Sequence, residues 1–122
     1  MSHIERDENR EERITMEAVV DAYNEDERAM GWYYYLDDRI NFPFQAKWVS
    51  RQRLQGRDVE VIEMSPEEEC SHDMFVEVRY QEGGVDDSFS ARLSDIKPID
   101  IDEETAEAIA DWHYWVERGY EF

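Results

Sequence analysis

"DERAMGWYYYLDDRINFPFQAKW", Asp26 to Trp48, is where the hydrophobic period of the chain changes, and its reading decides the fold. In its first half Ala29, Trp32, Tyr33, Leu36 and Ile40 recur at spacings of three and four, which is one face of a helix. The run Trp32-Tyr33-Tyr34-Tyr35 is β-prone and argues for a strand instead. The helical spacing is sustained over more positions, and Gly31 costs a helix interior only about 1 kcal/mol, so a helix is predicted across 26–38. Pro43 then pushes Phe42 toward extended backbone. From Phe44 the period is two, with Phe44, Ala46 and Trp48 alternating against Gln45, Lys47 and Val49, which predicts a strand.

Upstream, Asn24 followed by Glu27 resembles a capping box for this helix. Thr15 reads as an earlier N-cap, with Ile14 and Val19 as a hydrophobic staple and Met16, Val19, Val20 and Tyr23 as the stripe of a short helix. Residues 1–13 are almost wholly charged or polar and are expected to form a flexible arm ahead of one domain, 14–122.

Downstream, Val59 and Val61 open an extended run after a turn at "QGRD", Gln55 to Asp58. Met74, Val76, Val78 and Tyr80 alternate with Phe75, Glu77 and Arg79. Gly83-Gly84 signals a turn, and Phe89, Ala91 and Leu93 alternate beyond it. Asp100 and Glu103 then pair as a second capping box, with Asp102, Glu103 and Glu104 suited to a helix N-terminus. Ala108, Ile109, Trp112, Trp115 and Val116 form an apolar stripe that Gly119 ends. The expected fold is α+β: N-terminal helices and a C-terminal helix packed on a small antiparallel sheet or an SH3-like curled barrel.

The chain has 122 residues, with 32 Asp and Glu against 13 Lys and Arg, a formal net charge of −19. That is far beyond the magnitude of roughly 2–8 that solubility calls for. It argues against nucleic acid and acidic membranes, whose phosphates need a basic surface. No apolar run approaches the roughly 20 residues of a membrane helix, and "MSHIERDENREER" lacks the apolar core of a secretory signal. Cys70 is the only cysteine, so no intramolecular disulfide is expected. A cytoplasmic, monomeric protein is expected.

Cys70 and His72 in "EEECSHD" invite a zinc reading, but a zinc site takes about four ligands and the chain holds one Cys and three His. No phosphate loop or nucleophile elbow is present, and an enzyme is not expected, although 32 acids guarantee close carboxylate pairs. Oxygen-ligated cations suit the composition better, since calcium takes 6–8 oxygens in irregular geometry. Counted from Asp100, Thr105 and Asp111 fall where an EF-hand needs Gly and Glu, so any calcium site has to be assembled from distant loops. Asp37 and Asp38 are the leading pair. They stand at the end of the predicted helix, where acids oppose the macrodipole at a cost of about 0.3–1 kcal/mol each. An Asx turn would use only one of them. A cation explains both the position and the doubling.

"GWYYYLDDRINFPFQAKW", Gly31 to Trp48, together with "AEAIADWHYW", Ala106 to Trp115, resembles the CcbP family of small cyanobacterial calcium-binding proteins. The resemblance implies a cytoplasmic protein that binds and sequesters Ca²⁺ without an EF-hand, a buffer in calcium signalling. Only the "LDD" segment carries over residue by residue, with Asp38 the first ligand and Asp37 the second. From the acidic clusters themselves, Asn41 and the acids near Asp26 are expected helpers, and Glu67 to Glu69 or Asp100, Asp102 and Glu103 are expected to add weaker sites. Expected partners are calcium ions and a regulatory protein or protease. The competing class is an acidic interaction module that docks a basic protein or mimics nucleic acid.

Overall fold

A computed structural model describes residues 6–50, 53–82, 84–120 and 122. Its central helix is the predicted one. Helix α2, Glu25–Arg39, starts where the Asn24 side chain accepts the Glu27 N–H at 2.8 Å, and the Glu27 carboxylate reaches back to the Tyr23 N–H. Ala29, Trp32, Tyr35 and Leu36 are buried, and Tyr33 is half-buried, its hydroxyl donating to the Ser65 carbonyl. Trp32 is fully buried, edge-on to Trp112 with ring centroids 5.0 Å apart. Truncating such a ring costs about 3–5 kcal/mol.

The period of two from Phe44 builds an open five-stranded antiparallel sheet in the order β4-β3-β2-β1-β5. Its strands are β1 Phe44–Ser50, β2 Arg53–Met64, β3 Phe75–Glu82, β4 Val85–Arg92 and β5 Ile96–Ile99. Phe44, Ala46, Val59, Val61, Val76, Val78 and Ala91 point into the same core as Leu36, Ile109 and Trp112. The turn expected at "QGRD" is instead strand. The β1–β2 register shifts between the Trp48 and Ser50 pairs, and Gly56 takes φ +73 there, so the turn residues form a bulge inside β2. Strand β5 lacks a sequence signal because it is short and contains Pro98. It lies at the sheet edge, where the missing N–H costs no ladder bond. The β3–β4 hairpin closes at the Glu82–Val85 pair, with Gly84 at φ +81.

The N-terminal reading needs correction. Residues 1–5 lie outside the described residues, but structure starts before Thr15. Helix α1, Glu8–Arg13, is capped by Asp7, which accepts the Arg10 N–H, and runs into one π-helical turn, Ile14–Ala18. Thr15 is inside that turn and caps nothing. Ile14 and Ala18 are buried, whereas Met16, Val20 and Tyr23 of the expected stripe are exposed. The charges of α1 are not all spent on solvent. Arg10 and Arg13 bond the fully buried Asp111 at 2.5 and 2.6 Å, and Asp111 also accepts the Tyr35 hydroxyl. Glu11 accepts the hydroxyls of Tyr114 and Tyr120.

Helix α3, Glu103–Glu117, is capped by Asp102, which accepts the Thr105 N–H at 3.0 Å. The expected cap, Asp100, is two residues too early and sits at φ +49. The predicted stop holds. Gly119 takes φ +85, its N–H reaches the Val116 carbonyl, and the Tyr120 N–H reaches that of Trp115, a Schellman ending.

Candidate metal centre

Asp37 and Asp38 stand exposed in the last turn of α2, at the unfavourable end of its dipole. Among the described residues neither carboxylate has a hydrogen-bond or ion-pair partner, so neither is spent on an Asx turn. They line a concavity of about 610 Å³ with Glu17, Val20, Tyr34 and Arg39. Arg39 is the cation there. Its guanidinium bonds Glu17 and lies 4.6 Å from the centroid of the Tyr35 ring.

Glu17 reaches this concavity from the π-helical turn, and Gly31 is the reason. A β-carbon at position 31 would stand 2.2 Å from the Ala18 carbonyl oxygen, so only glycine lets the turn rest on α2. Sequence reasoning misses Glu17 because the stripe of Met16 to Tyr23 reads as an ordinary helix, whereas Ile14–Ala18 is a π-helical turn. The one available signal was the glycine inside a strong helical pattern, which marks a close approach.

The other expected ligands fall elsewhere. Asn41 is brought to Asp102, its amide donating to the carboxylate at 3.0 Å, and both line a second concavity of about 480 Å³ with Asp100. Asp102 is already engaged as a cap. The Thr105 hydroxyl and then its N–H hold the Asp102 carboxyl below the usual range. Glu103 is exposed in the first turn of α3. Asp26 is in the first turn of α2, and at 1.5 Å per residue it lies about 18 Å along the axis from Asp38. The two cannot hold one ion.

The donor chemistry fits a hard cation. Among the described residues the soft ligands already have partners: Cys70 is buried, burial pushes its thiol up, and its sulfur accepts the Phe75 N–H. His113 is lodged against the Leu93 carbonyl, and His72 against Glu25. Among the described residues no three His, Cys, Asp or Glu groups are gathered closely enough to hold a metal. The oxygens at Glu17, Asp37 and Asp38 therefore share a concavity without being preassembled into a cage.

A family model described as calcium binding, that of CcbP, matches residues 12–116. Two solved structures align with the chain over 100% of both lengths at 54% identity. One is the crystal structure of Anabaena CcbP, with a TM-score of 0.86. The other is a calcium-binding protein in the calcium-binding form, with a TM-score of 0.89. No curated protein matches. The matched span contains α2, the whole sheet and nearly all of α3, and the chain belongs to the CcbP family of calcium-binding proteins.

Proposed function

We propose that the protein binds Ca²⁺ reversibly through carboxylates at helix ends and loops, and serves as a calcium buffer in the cytoplasm. The role is binding, not catalysis. The observation that carries this reading, beside the family, is the pair of unpartnered carboxylates Asp37 and Asp38 at the wrong end of α2. Asp38 is the lead ligand, with Asp37 and Glu17 on the same concavity. Asn41, Asp100, Asp102 and Glu103 form a weaker site, limited by the bonds that Asp102 already makes as a cap. Asp26 is too far along α2 to assist Asp38.

When bound, calcium supplies a double positive charge that relieves the repulsion among these acids, and it accepts 6–8 oxygens without strict geometry. The chain's own contribution is positioning. Helix α2 and its buried aromatic rings hold the backbone of Asp37 and Asp38, while the contact of Ala18 with Gly31 holds that of Glu17. Arg39 holds Glu17 through one carboxylate oxygen and so competes with a cation for its charge, while the guanidinium keeps its seat on the Tyr35 ring. The reading is of sites outside an EF-hand, and for the weaker one Thr105 and Asp111 lie inside α3 at the positions where a loop begun at Asp100 would need Gly and Glu.

Calorimetric titration with Ca²⁺ and Mg²⁺ tests this. Asp38→Ala is expected to remove the tightest Ca²⁺ step, and an unchanged isotherm would show that Asp38 is not the anchor. Equal responses to Ca²⁺, Mg²⁺ and matched monovalent salt would instead favour the acidic docking module, for which the net charge of −19 speaks.

A further inference from the structure

At the opposite end of α2 from Asp38, a cleft of about 440 Å³ opens between Glu25, Asp73 and the end of α3. One side is aromatic. Trp112 and Trp115 lie nearly parallel, 24° apart with centroids at 5.6 Å, and the Phe122 ring stands 5.9 and 5.5 Å from them. Tyr120 adjoins Trp115 at 5.9 Å. The two tryptophans are almost fully buried and form the floor, so Tyr120 and Phe122 offer the accessible ring surface. Arg28 donates to the Phe122 carbonyl oxygen and pins that wall.

The other side is acidic. The Asp73 side chain is only 26% exposed, and burial raises its carboxyl above the ordinary value. One of its oxygens accepts the Met74 N–H, and the other is 3.4 Å from the exposed Arg92. Glu25 stands at the mouth with His72, whose Nδ1 is 3.1 Å from it.

Each ligand class can be weighed against these walls. A calcium ion needs six or more oxygens, and the aromatic side provides almost none. An anion meets two carboxylates on a chain of net charge −19. A neutral apolar guest would strip water from Asp73 and return no bond for it. A flat organic cation satisfies both sides: its face rests on a ring, drawn by the quadrupole, and its N–H edge forks onto a carboxylate. Guanidinium fits better than ammonium because it is planar and more weakly hydrated. The volume is within the range of roughly 300–1,000 Å³ of ligand pockets.

We propose that this cleft binds a guanidinium-type organic cation, either a free compound or the arginine side chain of a protein partner. It is separate from the carboxylates of Asp37 and Asp38 and does not depend on calcium. The test is NMR titration of the calcium-free protein, reading the indole N–H signals of Trp112 and Trp115, with n-butylguanidinium against its neutral isostere n-butylurea. The guanidinium compound is expected to shift both signals saturably at constant ionic strength, and the urea to shift neither. Asp73→Asn should weaken binding tenfold or more. Phe122→Leu, which keeps the charge but removes a ring, should weaken it about fivefold, equivalent to ~1 kcal/mol of cation–π attraction. Asp38→Asn should leave it unchanged, and neither cleft variant should alter the calcium isotherm. Tighter binding of an amide-capped Gly-Arg-Gly peptide than of butylguanidinium assigns the cleft to a partner's arginine, and the reverse order to a small molecule. Equal shifts from guanidinium, urea and potassium, or equal affinity in wild type and both cleft variants, would overturn the proposal.

Discussion

Gly31→Ala sets two effects of known size against each other. In an ordinary exposed helix interior the change stabilises by about 1 kcal/mol, because alanine leaves the unfolded chain less to lose. At position 31 the added carbon would lie 2.2 Å from the Ala18 carbonyl oxygen, well inside the 3.0 Å that β-carbons essentially never cross. The obstacle is backbone, so no rotamer relieves it, and the π-helical turn has to move by roughly 1 Å. Overpacking of this kind costs about 1–3 kcal/mol, and a rigid backbone neighbour places the cost at the upper end. The net expectation is a loss of about 1–2 kcal/mol, or a fall in Tm of about 4–8 °C for a domain of this size. Urea unfolding followed by tryptophan fluorescence reads the stability directly, since Trp32 and Trp112 are buried in the core. The same movement displaces Glu17, so calcium affinity should fall severalfold while Asp37 and Asp38 stay in place. A variant about 1 kcal/mol more stable than wild type would refute the close approach, and with it the route by which Glu17 joins the site.

Asp111→Ala leaves Arg10, Arg13 and the Tyr35 hydroxyl without their common acceptor. A loss of about 3 kcal/mol is expected in the same unfolding assay, the low end for a broken buried pair because both arginines can turn to water. A loss under about 1 kcal/mol would mean that α1 is not clasped through this residue. Arg39→Gln removes the cation that competes for Glu17. It should raise calcium affinity about fivefold, or ~1 kcal/mol, in a calorimetric titration, and an unchanged or weaker affinity would show that Arg39 is no competitor.

Acid should act in two windows. Burial holds the His113 imidazole below its ordinary 6.5, so the unfolded chain binds the proton first and stability falls as pH drops below about that value. Glu11 lies below its ordinary 4.5, burial being outweighed by the hydroxyls of Tyr114 and Tyr120 and by Arg6 and Arg118. Its contribution is present above that value and is lost as pH falls through the lower folded one. Asp73, raised by burial, works in the opposite sense. His113→Gln should flatten the upper window in urea titrations between pH 7 and 5, and an unchanged slope would refute the assignment.

Much of the architecture was legible because it rests on local signals. The stripe of Ala29 to Ile40, the Asn24 cap, the Gly119 stop and the alternation in β1, β3 and β4 are each written within a few residues of where they act. The doubled carboxylate was legible for the same reason, since a helix that ends in two acids breaks a local rule in the sequence itself. The resemblance in the "LDD" segment pointed to the family to which the chain belongs. Helix α1 was not legible: its charged run looks solvated until Asp111, about a hundred residues later, supplies the buried partner. The cap of α3 moved to Asp102 because Thr105 and Asn41 surround that carboxylate in space. Strand β5 exists only because β1 offers it an edge that tolerates Pro98. Helix and strand periods are properties of neighbouring residues, and composition and charge are sums, so the sequence alone determined the fold class and the hard-oxygen chemistry. Which oxygens meet depends on contacts across the chain: the close approach of Ala18 to Gly31 delivers Glu17 to the concavity of Asp37 and Asp38, and the length of α2 keeps Asp26 away.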